Sequence, residues 1–137
     1  VMKTEPKILA DTSAWIASFQ REGHDALKQK LDEALERNVL AISGLVLCEL
    51  LQGAKSETEY QKLAERFRAL HYLPMPEETW ERAAKLSFAL RRQGLTIPTT
   101  DVVIAQIALD NRCALLHCDH HFDLIARHSD LQVIAAV

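Results

Sequence analysis

Lys7-Ile8-Leu9-Ala10-Asp11-Thr12-Ser13-Ala14-Trp15-Ile16 is the stretch on which the fold turns. Its apolar run up to Ala10 is too short for a helix and reads as a buried strand ending at an acid. Directly after it, Trp15, Ile16 and Phe19 recur at helical spacing, so residues 12–19 read as a helix. A strand that passes straight into a helix begins the alternation that builds parallel sheets.

The alternation continues outward from there. Leu27, Leu31, Ala34 and Leu35 share one face of a helix from about His24 to Arg37, and Val39 to Ile42 is a second strand. Ser43 caps a helix carrying Leu45, Val46, Glu49 and Leu50, and Gly53 ends it. Ser56 and Glu59 have capping-box spacing, and their helix carries a stripe of Tyr60, Leu63, Ala64, Phe67 and Leu70. Tyr72-Leu73-Pro74 reads as a short strand or an extended link. Pro76 suits the first turn of a helix that directs Trp80, Ala83, Ala84, Ser87 and Leu90 inward. Thr99 or Thr100 caps a helix from about Asp101 to Asn111 that is apolar nearly all round, hence buried. Ala114 to Cys118 is a strand ending at Asp119. A short helix near Phe122 to Arg127 and a strand from Leu131 to Ile134 follow. The expected fold is α/β: three layers, α/β/α, round a mostly parallel sheet of four or five short strands.

The 137 residues are 48% hydrophobic and 26% charged, ordinary values that predict one folded domain over residues 1–137. No apolar run reaches the roughly 20 residues a membrane helix needs. The segment Val1 to Lys7 lacks the apolar core of a signal peptide, so a cytoplasmic protein with no membrane partner is expected. A net charge of -3 excludes nucleic-acid binding by bulk positive charge, but not a nuclease built on acids. Cys48, Cys113 and Cys118 form no C-x-x-C pair, which argues against a disulfide framework or a zinc ribbon and for buried or inert thiols in a reducing compartment.

Four acids stand out. Asp11 and Asp119 end strands, at the sheet edge where open parallel sheets bind ligands. Asp101 lies in the first turn of the buried helix, and Glu49 sits among apolar neighbours on another. Taken singly, each has an ordinary explanation: Asp11, Asp101 and Asp119 as helix caps or dipole partners, Glu49 as a solvent-facing residue. Taken together they raise a cost. Two like charges at about 4 Å repel by roughly 4 kcal/mol at an effective dielectric of 20, so such a cluster calls for cations or protons. Oxygen-only ligands favour magnesium or manganese over zinc.

These residues carry a resemblance. Ile8 to Ile16 resembles the opening motif of the PIN-domain nucleases. Leu47-Cys48-Glu49-Leu50 followed by Gly53 is similar to their second motif, and Asp101-Val102-Val103-Ile104-Ala105 to their third. Leu115 to Phe122, with Ile125 after it, is similar to their fourth. The likeness runs in order along nearly the whole chain and is nearest to the VapC-type toxins of bacterial toxin–antitoxin pairs. It implies that Asp11, Glu49, Asp101 and Asp119 form a catalytic metal site for one or two Mg2+ or Mn2+ ions, with the Ser13 hydroxyl in support. It further implies endonucleolytic hydrolysis of RNA, a VapB-type antitoxin and a homodimer. One position departs from the family: His117 stands where a Thr is common, and either weakens the support of Asp119 or replaces a hydroxyl with an imidazole. Asp123, a turn after Asp119, either reaches the metal or remains a surface acid.

Other features have two readings. His117-x-x-His120 could chelate zinc, though no further partner stands at familiar spacing. Lys85, Arg91 and Arg92 could track a phosphate backbone or simply solvate a helix end. Trp15 and Phe19 could enter a partner's groove or pack in the core. Two rival functions remain in view: a PIN-like module that binds RNA or protein without cutting, and an aspartate-based phosphoryl-transfer domain. A phosphatase of the latter kind wants an acid two residues after its nucleophile, where this chain has Ser13.

Overall fold

Among the described residues, five short strands set the frame: β1 (Ile8–Ala10), β2 (Leu40–Ser43), β3 (His71–Leu73), β4 (Ala114–His117) and β5 (Val133–Ala135). The computed structural model describes residues 5–135, so the start of the Val1 to Lys7 segment lies outside the described residues. All four strand pairings are parallel, in the order β3-β2-β1-β4-β5. Ile8 registers with Leu40 on one side and Ala114 on the other, which puts β1 at the centre. Successive side chains of a strand point to opposite faces. All four residues of β2 are buried, so both faces of the sheet are covered, and the three-layer expectation holds.

Seven helices lie between the strands: α1 (Thr12–Phe19), α2 (Asp25–Glu36), α3 (Gly44–Gln52), α4 (Glu57–Arg68), α5 (Glu77–Arg92), α6 (Thr99–Asp110) and α7 (His120–Arg127). None of the described helices is long and apolar enough to cross a membrane. The chain moves from β1 outward to β3, then α5 and α6 return it to β4 on the other side of β1. The strand order therefore reverses between β1 and β4, and that crevice is where the carboxyl ends of such a sheet receive ligands. Three helices end alike. The N–H of Val39, Leu95 and Cys113 each reaches back five residues, to Ala34, Leu90 and Ala108, across Asn38, Gly94 and Arg112 at positive φ. These Schellman closures turn α2 and α6 directly into β2 and β4.

Several local expectations change. The inward face of α5 is Thr79, Ala83 and Leu90, while Trp80 and Ala84 face solvent. The reason lies in α6. Thr79 Oγ1, the Arg82 guanidinium and Gln106 Nε2 all bond the Asp110 carboxylate at 2.7–2.9 Å, and this clasp fixes the rotation of α5. Helix α6 starts at Thr99 without a side-chain cap, because the Pro98 carbonyl takes the N–H groups of Asp101 and Val102. Leu35 and Tyr60 are exposed, not inward. Residues 71–73 do form a strand, at the sheet edge. Trp15 is core: it is buried and meets Phe67 edge-on at 5.2 Å, so the partner-groove reading is left to Phe19 alone.

Candidate active site at the carboxyl edge of the sheet

Asp11 follows β1 directly, and its N–H continues the ladder to the Leu116 carbonyl of β4. It also caps α1, accepting from Ala14 N–H at 3.0 Å, so the ordinary reading and the functional one coexist in one side chain. The Ser13 hydroxyl donates to both Asp11 oxygens, at 2.8 and 2.9 Å, and accepts from Cys118 N–H at 3.0 Å. One hydroxyl thus ties the acid to the end of the neighbouring strand. Asp11 is only 3% exposed. Burial pushes its pKa up, against the pull of the Ser13 and Ala14 hydrogen bonds.

Glu49 is half-buried on α3 and accepts from Thr12 Oγ1 at 2.9 Å, so it faces α1 and not open solvent. Asp101 and Asp119 share a histidine. His121 Nδ1 lies 3.0 Å from Asp101 Oδ2 and 3.2 Å from Asp119 Oδ1. Carboxylates only accept, so the ring proton belongs on Nδ1. Asp101 also has a raised pKa. Burial is the main cause and the charge of Asp119 adds to it, while His121 opposes both. Asp119 caps α7 through His121 N–H at 3.0 Å.

The structure therefore sets the acids in two linked pairs, Asp11 with Glu49 through Thr12, and Asp101 with Asp119 through His121. Among the described residues, the set whose ligand atoms all lie within 4.8 Å of one another is Asp119, His120 and His121, not the four acids. Each acid accepts a hydrogen bond from a neighbouring donor, which favours its ionised form. Thr12 and His121 did not emerge from sequence reasoning as site residues. Their signal was adjacency, since each lies inside a motif stretch already singled out.

His117 resolves the departure noted above. It is 3% exposed, and its Nδ1 accepts the Asp119 backbone N–H at 3.1 Å, so an imidazole supplies the acceptor. Its Nε2 points toward Asp123 Oδ1 at 3.2 Å, but off-line, and makes no hydrogen bond among the described residues. The ring packs beside Phe122, 5.4 Å between centroids. Among the described residues, His117 is not one of those whose ligand atoms gather with His120. His117→Leu is expected to lose about 1–3 kcal/mol of stability in urea denaturation, because it orphans the Asp119 N–H. His117→Asn, whose Oδ1 can take the place of Nδ1, should keep part of that. A leucine variant as stable as the parent would remove His117 from the support of Asp119. Of the thiols, Cys113 is buried while Cys48 and Cys118 are exposed. Burial raises the pKa of Cys113 and Cys118, and the charge of Asp11 adds to the rise at Cys118.

Known proteins share this arrangement of elements. The PIN domain matches residues 8–128. The chain is 32% identical over 130 residues to Ribonuclease VapC11 of Mycobacterium tuberculosis, covering 91% of this chain and 96% of that one. It shows the same identity and coverage with VapC ribonuclease Mb1587 of Mycobacterium bovis. The crystal structure of VapBC2 from Rickettsia felis, bound to a DNA fragment from their promoter, shares the fold. Its TM-score is 0.76 at 22% identity, over 93% of this chain and 97% of that one. A domain match from β1 through α7, with a relative this similar over almost its full length, leads to one assignment: the chain belongs to the PIN-domain family, among its VapC-type members.

Proposed function

We propose that the chain is a metal-dependent endoribonuclease, the toxin of a VapBC-type pair, acting in the cytoplasm through one nuclease domain over residues 1–137. Relatives at 32% identity are named ribonucleases, and a protein of the same fold is a VapBC assembly, which supports RNA as substrate and a VapB-type antitoxin as partner. The observation that carries the reading is the placement of two sequestered acids at the crevice where the strand order reverses: Asp11, 3% exposed at the end of β1, and half-buried Asp101, joined through His121 to Asp119 beyond β4. A carboxylate kept at the cost of burial is suited to a cation.

Asp11, Glu49, Asp101 and Asp119 are the residues that would hold the metal, and their all-oxygen donor set fits Mg2+ or Mn2+, as one or two ions. Bound divalent ions supply a lowered pKa for water and charge stabilisation at a phosphodiester. The chain's own work is orientation. Ser13 and Ala14 N–H hold the Asp11 carboxylate, Thr12 holds Glu49, and His121 holds Asp101 and Asp119 in register.

The test uses purified, antitoxin-free protein on total cellular RNA with magnesium, manganese or EDTA. Discrete fragments that need metal and vanish in Asp11→Asn are expected. Intact RNA in every lane, from protein that binds metal, would favour a module that binds without cutting. Metal binding is read separately: at 100 times its dissociation constant, the ion should stabilise the fold by about 2.7 kcal/mol. A thermal midpoint that ignores millimolar metal would count against the four-acid site.

A further inference from the structure

His120 lies beside the acidic crevice with its ring turned to Asp119. The side chain is 78% exposed, and its Nδ1 stands 3.5 Å from Asp119 Oδ1. That is too long for a strong hydrogen bond. The same oxygen lies 3.2 Å from His121 Nδ1, which in turn stands 3.0 Å from Asp101 Oδ2. The two imidazoles sit side by side, 4.4 Å between centroids. The ligand atoms of Asp119, His120 and His121 all lie within 4.8 Å of one another. A proton on His121 explains the approach of Asp101 and Asp119, but it gives His120 no reason to turn inward.

The spacing is that of a coordination shell. Zinc holds imidazole nitrogen and carboxylate oxygen at about 2.0–2.2 Å, usually at the corners of a tetrahedron. Such corners are about 3.3–3.6 Å apart, and the three distances here, 3.0, 3.2 and 3.5 Å, lie within about 0.3 Å of that range. We propose that Asp101, Asp119, His120 and His121 form a binding site for Zn2+, through Oδ2, Oδ1 and the two Nδ1 atoms. Two carboxylates and two neutral imidazoles match the charge of one divalent ion. The nitrogens set this site apart from the all-oxygen set of the four acids, because imidazole suits zinc while carboxylate and water suit magnesium. Asp11 and Glu49 take no part; their donors are Ser13 and Thr12. His121 coordinates as its other neutral tautomer, with the ring proton moved from Nδ1 to Nε2, so no proton is gained or lost. Zinc held by Asp101 and Asp119 competes with magnesium for half of the acidic site. That competition rests on the nuclease reading of the four acids, and the zinc site itself does not.

Isothermal titration calorimetry with Zn2+ tests the site on the full chain, free of antitoxin, and on His120→Ala, His121→Ala and Glu49→Gln. The parent is expected to bind one zinc per chain. Each histidine variant should raise the zinc dissociation constant about tenfold or more, since groups that only support a ligand already cost about 10- to 100-fold. Glu49→Gln should leave it unchanged, because Glu49 belongs to the other pair of acids. Millimolar magnesium should weaken zinc binding by the parent, the mark of shared acids. Far-UV circular dichroism checks each fold, and if His121→Ala fails to fold, exposed His120→Ala still decides. Zinc bound as tightly by His120→Ala as by the parent would overturn the site. So would a loss in Glu49→Gln equal to that in His120→Ala, which would put zinc among the four acids. Zinc affinity indifferent to magnesium would overturn the competition. RNA cleavage in magnesium is the second arm: zinc should stop the parent at about tenfold lower concentration than His120→Ala, in line with the loss of one ligand. If the parent cuts no RNA with magnesium alone, the nuclease reading fails, and calorimetry with and without magnesium still decides the zinc site and the competition.

Discussion

Asp101→Asn is expected to lower RNA cleavage by at least about 100-fold, and to raise the thermal midpoint of the metal-free protein. The first part follows from the metal-holding role proposed for it: even groups that only support a metal ligand cost about 10- to 100-fold in activity when changed, so a ligand should cost no less. The second follows from charge. Asp101 is held at a raised pKa by burial and by Asp119, which means the folded protein bears its ionised form at a cost. Asparagine removes that charge and keeps an oxygen for His121 Nδ1. The pH dependence has a definite sign. An acid with a raised folded pKa binds its proton more readily in the folded state than in the unfolded, so the parent gains stability as pH falls through that raised value. Asparagine does not titrate. The variant's advantage should therefore be full above the raised pKa and shrink as pH falls through it, read as thermal midpoints in EDTA. Asp110 does not confuse this window. Burial alone would raise its pKa, but Arg82, Thr79 and Gln106 together outweigh burial and hold it below the usual value, so its contribution is lost only at lower pH. With saturating metal the order should reverse, because only the parent keeps the full ligand set. A variant less stable than the parent in EDTA at neutral pH would make Asp101 a structural partner of His121.

Trp15→Ala is expected to cost about 3–5 kcal/mol of folding stability. That is a large share of the roughly 5–15 kcal/mol that holds a domain of ordinary stability. The indole is fully enclosed, meets Phe67 edge-on at 5.2 Å and Phe19 at 6.3 Å, and anchors the helix that follows Asp11. Trp15→Phe should cost less than half as much. It keeps an aromatic in the site and removes an indole N–H that finds no hydrogen-bond partner among the described residues. Urea denaturation gives both values, and an unchanged m would show that the comparison is between like transitions. A loss below about 1 kcal/mol for the alanine variant would mean that neighbouring side chains collapse into the space and that Trp15 is not the keystone of α1.

The alternation of short apolar runs with helical spacing was enough to read a parallel, three-layer α/β chain, because both patterns are local and each has its own period. The edge carrying Asp11 and Asp119 was legible for the same reason: each acid is the residue at which an apolar run stops, and parallel strands place such stops on one side. Glu49 and Asp101 were singled out by chemistry, as acids among apolar neighbours. What spacing could not reach was rotation and partnership. Trp80 reads as inward until Thr79, Arg82 and Gln106 converge on Asp110 and turn α5 so that Trp80 faces out. The histidine between Asp101 and Asp119 joins the start of α6 to the start of α7, 20 residues apart, and no local pattern encodes that contact. His117 left two readings open, a weakened support of Asp119 or an imidazole in place of a hydroxyl, and its Nδ1 accepts the Asp119 N–H once the end of β4 bends into α7. The sequence by itself determined which segments are strands or helices and which acids stand at the sheet's edge, because hydrophobic period and chain stops are local properties. Only the tertiary structure decided which way each helix turns and which donor each acid receives, because those depend on hydrogen bonds between residues far apart in the chain.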